Sequence, residues 1–236
     1  MTGTVRIGTS DGAEMAALFS APAHVPAPGI VVLHEIFGMT DFVHSRLPLL
    51  NSRGYVAMAP DLYHRIAPGA SFDYAGESWD RAFATRNRLD DDLAVRDIGR
   101  AVEALRARPE CNGKVAVVGY CLGGLLAFLA AARLDADSNV CFHGVRLETR
   151  LDDAAAISGP LQMHFAGLDR YAPPEVVAQV KAALPPGADV ECLDYPDADH
   201  GFSREGQPVF NPSATARAHA ALFSFLDRTL VKGPPA

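Results

Sequence analysis

The sequence predicts an α/β fold: a mostly parallel central sheet of about eight strands, flanked by helices, in a single domain. Short apolar segments alternate with longer amphipathic ones, which is typical of strands joined by helices around a parallel sheet. The length of 236 residues suits one undivided domain over residues 1–236. Only the Gly- and Pro-rich residues 232–236 have the composition of a frayed tail.

The apolar segments place the strands in order along the chain. An N-terminal pair, Val5–Ile7 and Glu14–Phe19, is separated by a turn-forming Ser-Asp-Gly sequence. The further predicted strands are Gly29–Leu33, Tyr55–Ala59, Lys114–Gly119, Val140–Phe142, Leu161–Ala166 and Asp189–Tyr195. The predicted helices are Asp41–Arg53, Asp90–Arg108, Leu122–Leu134, Pro174–Leu184 and Ser213–Leu230. The segment from His64 to about Trp79 lacks a period, which predicts a long loop, either a wall of a binding site or a surface excursion.

Composition restricts the class of protein. A formal net charge of −7 argues against a broad surface for nucleic acid or for an anionic membrane. The N-terminal segment lacks the features of a signal peptide, and no apolar run is long enough for a membrane helix. The four cysteines are scattered without a CxxC pair, which favours free thiols in a reducing compartment. We therefore expect a cytoplasmic protein.

The most informative motif is Gly119-Tyr-Cys-Leu-Gly123, which follows an apolar β-branched strand and precedes a helix. It matches the G-x-S-x-G nucleophile elbow of α/β-hydrolases, with Cys121 in place of serine. A thiol at a helix N-terminus is near the positive end of the helix dipole, and the backbone N–H of Leu122 can donate to an oxyanion. The alternative is that Cys121 is a buried small hydrophobe; we interpret Cys111, Cys141 and Cys192 in that structural way.

The acid and base of such a site follow the nucleophile in the order acid, then histidine. Asp169 comes after the strand that ends at Ala166, and His200 comes after the strand that ends at Tyr195. These positions predict that His200 exchanges protons with the thiol while Asp169 orients its ring. The residues that compete for these roles are weaker candidates: Asp197 and Asp199 share the loop of His200, His143 and His164 are interpreted as satisfied core or rim residues, and His219 as exposed. Metal-ligand spacing is not evident, so no metal is expected.

The end of the third strand supplies two further candidates. Glu35 and Ile36 follow His34 at the position that provides the second oxyanion donor in this fold, so the backbone N–H of Ile36 is predicted to fill that role. Glu35 could accept the thiol proton or restrain the thiol before substrate binds. The alternative is a solvated loop glutamate.

These motifs together resemble the dienelactone hydrolase (carboxymethylenebutenolidase) family from about Asp11 to Leu230. The segments that carry the resemblance are His34–Gly38, Pro60–Tyr63, Ala67–Gly69, Gly113–Val115, Gly119–Gly124 and Ala198–Phe202. The resemblance implies a Cys121, His200 and Asp169 triad, a Glu35 that helps to activate the thiol, and oxyanion donors at Ile36 and Leu122. It also implies a carboxylate-bearing unsaturated lactone as substrate, held by Arg204 and by Arg81. His34, Gly201 and Arg86 depart from the family pattern, in which glutamine, serine and a large aromatic residue are common, respectively. Because these positions line the presumed pocket, they bear on substrate identity more than on reaction type.

We therefore predict an enzyme that opens a lactone of the dienelactone type to maleylacetate through a thioester on Cys121, without a metal or organic cofactor. Its expected partner is a small, anionic lactone or ester, with no nucleic acid and no membrane, and we expect a monomer rather than an oligomer. One alternative is a broader carboxylesterase or thioesterase that acts on a neutral ester. Another is a non-catalytic ligand binder with an inert thiol.

Overall fold

The computed structural model describes residues 2–231, and it contains a sheet of eight strands in the order β1-β2-β4-β3-β5-β6-β7-β8. The pairs β1/β2 and β2/β4 are antiparallel, whereas β3/β4, β6/β7 and β7/β8 are parallel. Every residue of β3, β4, β6 and β7 is buried, as expected for strands covered on both faces. The predicted mostly parallel α/β fold of about eight strands is confirmed, whereas the single-domain boundary stays a prediction. The predicted frayed tail, residues 232–236, lies outside the described residues.

The chain divides within β5 into two compact units: the first ends at Val117 and the second begins at Val118. The first unit contains β1 (Gly3–Gly8), β2 (Glu14–Ser20), β3 (Ala27–Leu33), β4 (Val56–Pro60), α1 (Asp41–Asn51), α2 (Gly76–Arg86), α3 (Asp91–Arg106) and the start of β5 (Cys111–Tyr120). Helix α3 begins where predicted because the Asp90 carboxylate caps it, accepting from the backbone N–H groups of Asp92 and Leu93 at 2.9 and 3.0 Å.

The second unit contains the end of β5, α4 (Leu122–Arg133), β6 (Ser138–Phe142), α5 (Leu151–Ala154), β7 (Leu161–Ala166), α6 (Pro174–Ala183), β8 (Val190–Tyr195) and α7 (Pro212–Leu226). Helix α4 is apolar around most of its circumference and buries every residue from Leu122 to Ala131. Because α4 follows β5 directly, the residue between them is held at the carboxyl end of the sheet. The loops after β6, β7 and β8 reach that same edge, since the strands are parallel.

Two predictions of local structure were wrong. Only the first part of the segment predicted as a loop from His64 to Trp79 is irregular, because α2 begins at Gly76. This helix is short, polar and only partly buried, so its sequence lacks a clear helical period. A 3-10 turn over Leu147–Arg150 and the single-turn α5 were not predicted, since neither is long enough to display a helical period. Among residues 2–231, no helix is long and apolar enough to cross a membrane.

The loop before α2 is ordered by one aspartate. The Asp61 carboxylate accepts from the backbone N–H of Tyr63 at 3.0 Å and from that of Gly69 at 2.7 Å. Asp61 is 4% exposed, so both bonds are shielded from water. Local side-chain-to-backbone bonds of this kind replace the hydrogen bonds that a helix or strand would supply.

Candidate active site

Cys121 lies at the tip of a sharp turn between β5 and α4. Its backbone angles are φ 55° and ψ −111°, outside the regions that L residues ordinarily occupy. Its backbone N–H donates to the carbonyl oxygen of Phe142 at 3.0 Å, which ties the turn to the end of β6. Such a conformation costs on the order of 1–3 kcal/mol and is concentrated at functional sites. The strand–turn–helix geometry predicted from the motif is therefore present.

The glycines of the motif are required by close backbone contacts. A Cβ atom on Gly119 would lie 1.8 Å from the carbonyl oxygen of Gly123, and one on Gly124 would lie 2.7 Å from that of Phe142. Both obstacles are backbone atoms, which cannot move aside as a flexible side chain can. Only glycine at these positions lets the strand, the turn and the first turn of α4 pack this tightly.

His200 connects Cys121 to Asp169. Its Nδ1 lies 2.7 Å from Asp169 Oδ2, and its ring also hydrogen-bonds the Cys121 side chain, which leaves Nε2 for the sulfur. The other oxygen of Asp169 accepts from the backbone N–H of Tyr171 at 2.8 Å, so the carboxylate is held from both sides. All three side chains are buried. The second unit thus brings together the three residues that the motif order singled out.

The electrostatics of His200 favour its protonated form. Burial lowers the pKa of the imidazole, but the electrostatic interaction with the Cys121 side chain and the hydrogen bond to Asp169 outweigh it and raise the pKa to about 10. A proton that leaves the thiol is therefore well accommodated on the ring. This arrangement can generate a thiolate nucleophile beside an imidazolium that later acts as an acid.

The competing aspartates and histidines occupy other roles. Asp199 accepts from the backbone N–H of His200 at 2.6 Å rather than from its ring. His164 is a satisfied core residue as predicted, because its Nδ1 meets Tyr195 Oη at 2.8 Å and its Nε2 meets Gln162 Oε1 at 2.9 Å. The exposed position predicted for His219 was wrong, since it is half-buried in α7. Among residues 2–231, no group of three or more His, Cys, Asp or Glu side chains could hold a metal ion.

The other cysteines differ from Cys121 in their surroundings. Cys111 and Cys141 are buried within or beside strands, and Cys192 is half-buried in β8. Burial raises the pKa of the Cys141 thiol to about 12 and also raises that of Cys192. These thiols therefore remain protonated and poorly nucleophilic at neutral pH.

His143 is not the satisfied residue that its position near a strand end predicts. It is 1% exposed, yet both of its ring nitrogens lack a hydrogen-bond partner. Its ring packs edge-to-face on that of His200, with centroids 4.7 Å apart. The signal that could have identified it was its position directly after β6, at the same edge of the sheet as Cys121, Asp169 and His200.

Arg204 lies close to the base of the site and is only 5% exposed. A Cβ atom on Gly201 would lie 2.4 Å from the Arg204 guanidinium carbon, and Gly201 has a φ of 77°. Gly201, which departs from the family pattern, therefore leaves room for the buried Arg204 side chain, which folds back over the loop that carries both residues. A cation at this place can attract an anionic group of a substrate.

The remaining predicted residues belong to the first unit. Glu35 is 2% and Ile36 is 6% exposed, so the alternative of a solvated loop glutamate was wrong. The His34 ring holds part of this loop in place through two hydrogen bonds. Its Nε2 accepts from the backbone N–H of Leu62 at 3.2 Å. Its Nδ1 therefore carries the proton, which it donates to the Glu35 carbonyl oxygen at 2.6 Å. Arg81 is exposed, with its guanidinium 5.4 Å from the centre of the Phe72 ring.

Arg86, the other departure from the family pattern, is a buried residue of α2. Its guanidinium forms an ion pair with the Asp91 carboxylate at 2.8 Å, and both side chains are less than a tenth exposed. A buried pair of this kind ties the end of α2 to the start of α3. Its position in place of an aromatic residue therefore has a structural explanation.

Comparison with known proteins agrees with this geometry. The model of the dienelactone hydrolase family matches residues 15–230. A carboxymethylenebutenolidase from Pseudomonas putida is 34% identical and is aligned over 99% of this chain and 100% of its own length. Carboxymethylenebutenolidase 1 from Cupriavidus pinatubonensis is 35% identical over 98% of this chain and 97% of its own length.

The fold agrees with a solved structure as well. A protein from Klebsiella pneumoniae superposes with a TM-score of 0.85 over 97% of this chain and 98% of that chain, at 21% identity, a similarity that concerns the fold alone. The family match and the full-length relatives cover the nucleophile elbow and the loops that carry Asp169 and His200. The chain therefore belongs to the dienelactone hydrolase family and is a hydrolase that acts on ester or lactone bonds.

Proposed function

We propose that this enzyme opens a carboxylate-bearing unsaturated lactone, of the dienelactone type, to the maleylacetate type of product. The observation that carries the proposal is the hydrogen-bonded series from Cys121 through His200 to Asp169, with the cysteine at the tip of the elbow. The names of the full-length relatives support the substrate class. The buried Arg204 near His200 supports an anionic substrate.

The first half of the reaction forms a thioester. His200 takes the thiol proton, and the Cys121 thiolate attacks the lactone carbonyl carbon to give a tetrahedral oxyanion. The backbone N–H of Leu122, the first residue of α4, has no partner within the helix and donates to this oxyanion. When the intermediate collapses, the ring C–O bond breaks and the enolate oxygen leaves, taking the proton from His200, which becomes neutral again.

The second half hydrolyses the thioester. Water gives a proton to neutral His200 and attacks the acyl carbon, and a second oxyanion forms against the same donor. Its collapse releases the carboxylic acid and returns the sulfur as a thiolate beside protonated His200. Asp169 keeps the proton on Nδ1 of His200 throughout, so Nε2 stays available to the reacting atoms.

Other residues enter the proposal through the family resemblance. Glu35 assists activation of the thiol, the Ile36 backbone N–H is the second oxyanion donor, and Arg81 joins Arg204 in binding the substrate carboxylate. Glu35→Gln and Arg81→Ala test these roles separately, by thiol alkylation rate and by KM for an anionic lactone. We also propose that the protein is a cytoplasmic monomer and that its reaction needs no metal or organic cofactor.

The decisive experiment compares Cys121→Ala with the matched control Cys192→Ala, in which a half-buried cysteine outside the triad is removed. Hydrolysis of cis- and trans-dienelactones is followed spectroscopically for both. We expect Cys121→Ala to abolish turnover and Cys192→Ala to keep it. Undiminished lactone hydrolysis by Cys121→Ala, or by wild type fully alkylated at Cys121, would refute the mechanism.

A broader esterase on neutral esters is distinguished by Arg204→Ala. For an anionic lactone, this variant should lose at least tenfold in kcat/KM, because a charged hydrogen bond is worth about 1.5–3 kcal/mol. For a neutral aryl ester it should change little. Equal effects on both substrates would favour the broader esterase, and absence of turnover on either would favour a ligand binder.

A further inference from the structure

His143 is a buried histidine whose two ring nitrogens both lack a hydrogen-bond partner. Leaving a buried polar group unpaired costs about 1–3 kcal/mol, and native proteins rarely accept it. His164 gives the internal comparison, because it is equally buried and pairs both nitrogens with Tyr195 and Gln162. The unpaired state of His143 therefore calls for an explanation other than burial in the core.

The backbone at His143 adds a second cost. Its φ of 37° lies in the left-handed region, which favours glycine and asparagine over a ring-bearing residue. His143 follows β6 directly, and its neighbour Phe142 accepts the backbone N–H of Cys121. The residue just before His143 is therefore hydrogen-bonded to Cys121, which ties the strained backbone at His143 to the elbow.

The ring of His143 is enclosed by the residues of the candidate site. Its centroid is 4.7 Å from that of His200 and 5.8 Å from that of Phe202. The pKa of His143 is lowered by burial, and then by the charges of His200 and Arg204, so the ring stays neutral. A neutral imidazole offers one N–H donor and one lone pair, and the charge of the Arg204 guanidinium acts on this ring.

We propose that His143 is a specificity-determining residue that donates a ring N–H to the carboxylate of the bound substrate, next to Arg204. The inference rests on the proposed lactone hydrolase function and deepens it. The N–H of this buried, strained ring gains an acceptor once an anionic oxygen enters the site. A neutral ester lacks that oxygen and leaves the nitrogen unpaired, so His143 favours anionic substrates.

The test measures the ratio of kcat/KM for an anionic dienelactone to kcat/KM for a neutral aryl ester. Wild type is compared with His143→Phe, which keeps a ring but has no nitrogen, and with His143→Asn, which restores a donor and tolerates the left-handed backbone. His219→Phe is the matched control, because it removes a half-buried histidine in α7. Thermal unfolding and the pH–rate profile are recorded for every variant.

We expect His143→Phe to lower this ratio by about ten- to a hundredfold through a higher KM for the lactone, as loss of a charged hydrogen bond requires. His143→Asn should recover part of the ratio, and His219→Phe should leave it unchanged. The Phe variant should be at least as heat-stable as wild type, because two unpaired buried nitrogens are removed. If it fails to fold, His143→Gly, which fits the backbone, replaces it.

An unchanged ratio in the Phe or Gly variant, with lactone turnover intact, overturns the inference while leaving the proposed function standing. An equal loss on both substrates with a shifted pH–rate profile also overturns it, because His143 would then act only by positioning His200. Failure of wild type to turn over any dienelactone would instead refute the proposed function.

Discussion

Gly119→Ala is the most direct test of the elbow geometry. The added Cβ atom would lie 1.8 Å from the Gly123 carbonyl oxygen, 2.3 Å from its carbon and 2.9 Å from the Gly124 nitrogen. All three are backbone atoms of α4, so the helix start must shift by roughly 1 Å or more, at a cost of about 1–3 kcal/mol or above. For a chain of this size, that corresponds to a fall in Tm of about 2–12 °C.

The same shift would displace Cys121 from His200. A displacement of about 1 Å in a catalytic group can reduce the rate on the order of 10²-fold, so kcat/KM should fall more steeply than stability. Thermal unfolding and lactone or ester hydrolysis, measured on the same preparation, give both quantities. Gly159→Ala is the matched control, because no atom lies within 4 Å of its added Cβ. Wild-type activity and Tm in Gly119→Ala would refute the requirement for close packing at the elbow.

Three further predictions concern the loops around His200. Asp169→Asn should reduce kcat by about 10²–10⁴ with a small change in KM, measured by steady-state kinetics, because the ring loses the carboxylate that orients it. The folded-state pKa of His200 is raised to about 10 from 6.5, so its stabilisation is complete below pH 6.5 and is lost as pH rises through 10. Urea unfolding should therefore show the free-energy difference between wild type and His200→Gln shrinking over that range; a constant difference would contradict the raised pKa. Asn211→Ala should destabilise the protein by about 1 kcal/mol in thermal unfolding, because Asn211 caps α7 through the N–H of Ala214 at 3.0 Å and donates to the Asp197 carbonyl oxygen at 2.9 Å. An unchanged Tm would contradict that role.

The sequence predicted the fold well because its strongest signals are local. The apolar strands and the amphipathic α3 have periods long enough to be recognised, and the Gly119–Gly123 motif identifies a strand–turn–helix junction by itself. Chain order then placed Asp169 after β7 and His200 after β8. Because β6, β7 and β8 pair in parallel, their carboxyl ends lie at one edge of the sheet, which brings Asp169 and His200 close together.

Short elements were less predictable. Helix α2 and the turn before α5 carry too few apolar residues to display a period, and their stability depends on contacts made elsewhere in the chain. The Arg86–Asp91 ion pair is one such contact, and nothing in the local sequence distinguishes a buried arginine from an exposed one. Burial of a charged side chain depends on partners that only the fold provides.

The sequence by itself determined the family, the reaction class and the residues of the proposed triad, because each is encoded in a short motif or in motif order. Only the tertiary structure decided how polar side chains are paired. His143 and His164 both lie within or directly after an apolar strand, yet one has no partner for its nitrogens and the other has two. That difference arises because hydrogen bonding depends on distances between atoms far apart in sequence. The same holds for Gly201, whose missing Cβ makes room for a guanidinium three residues away only because the loop folds back on itself.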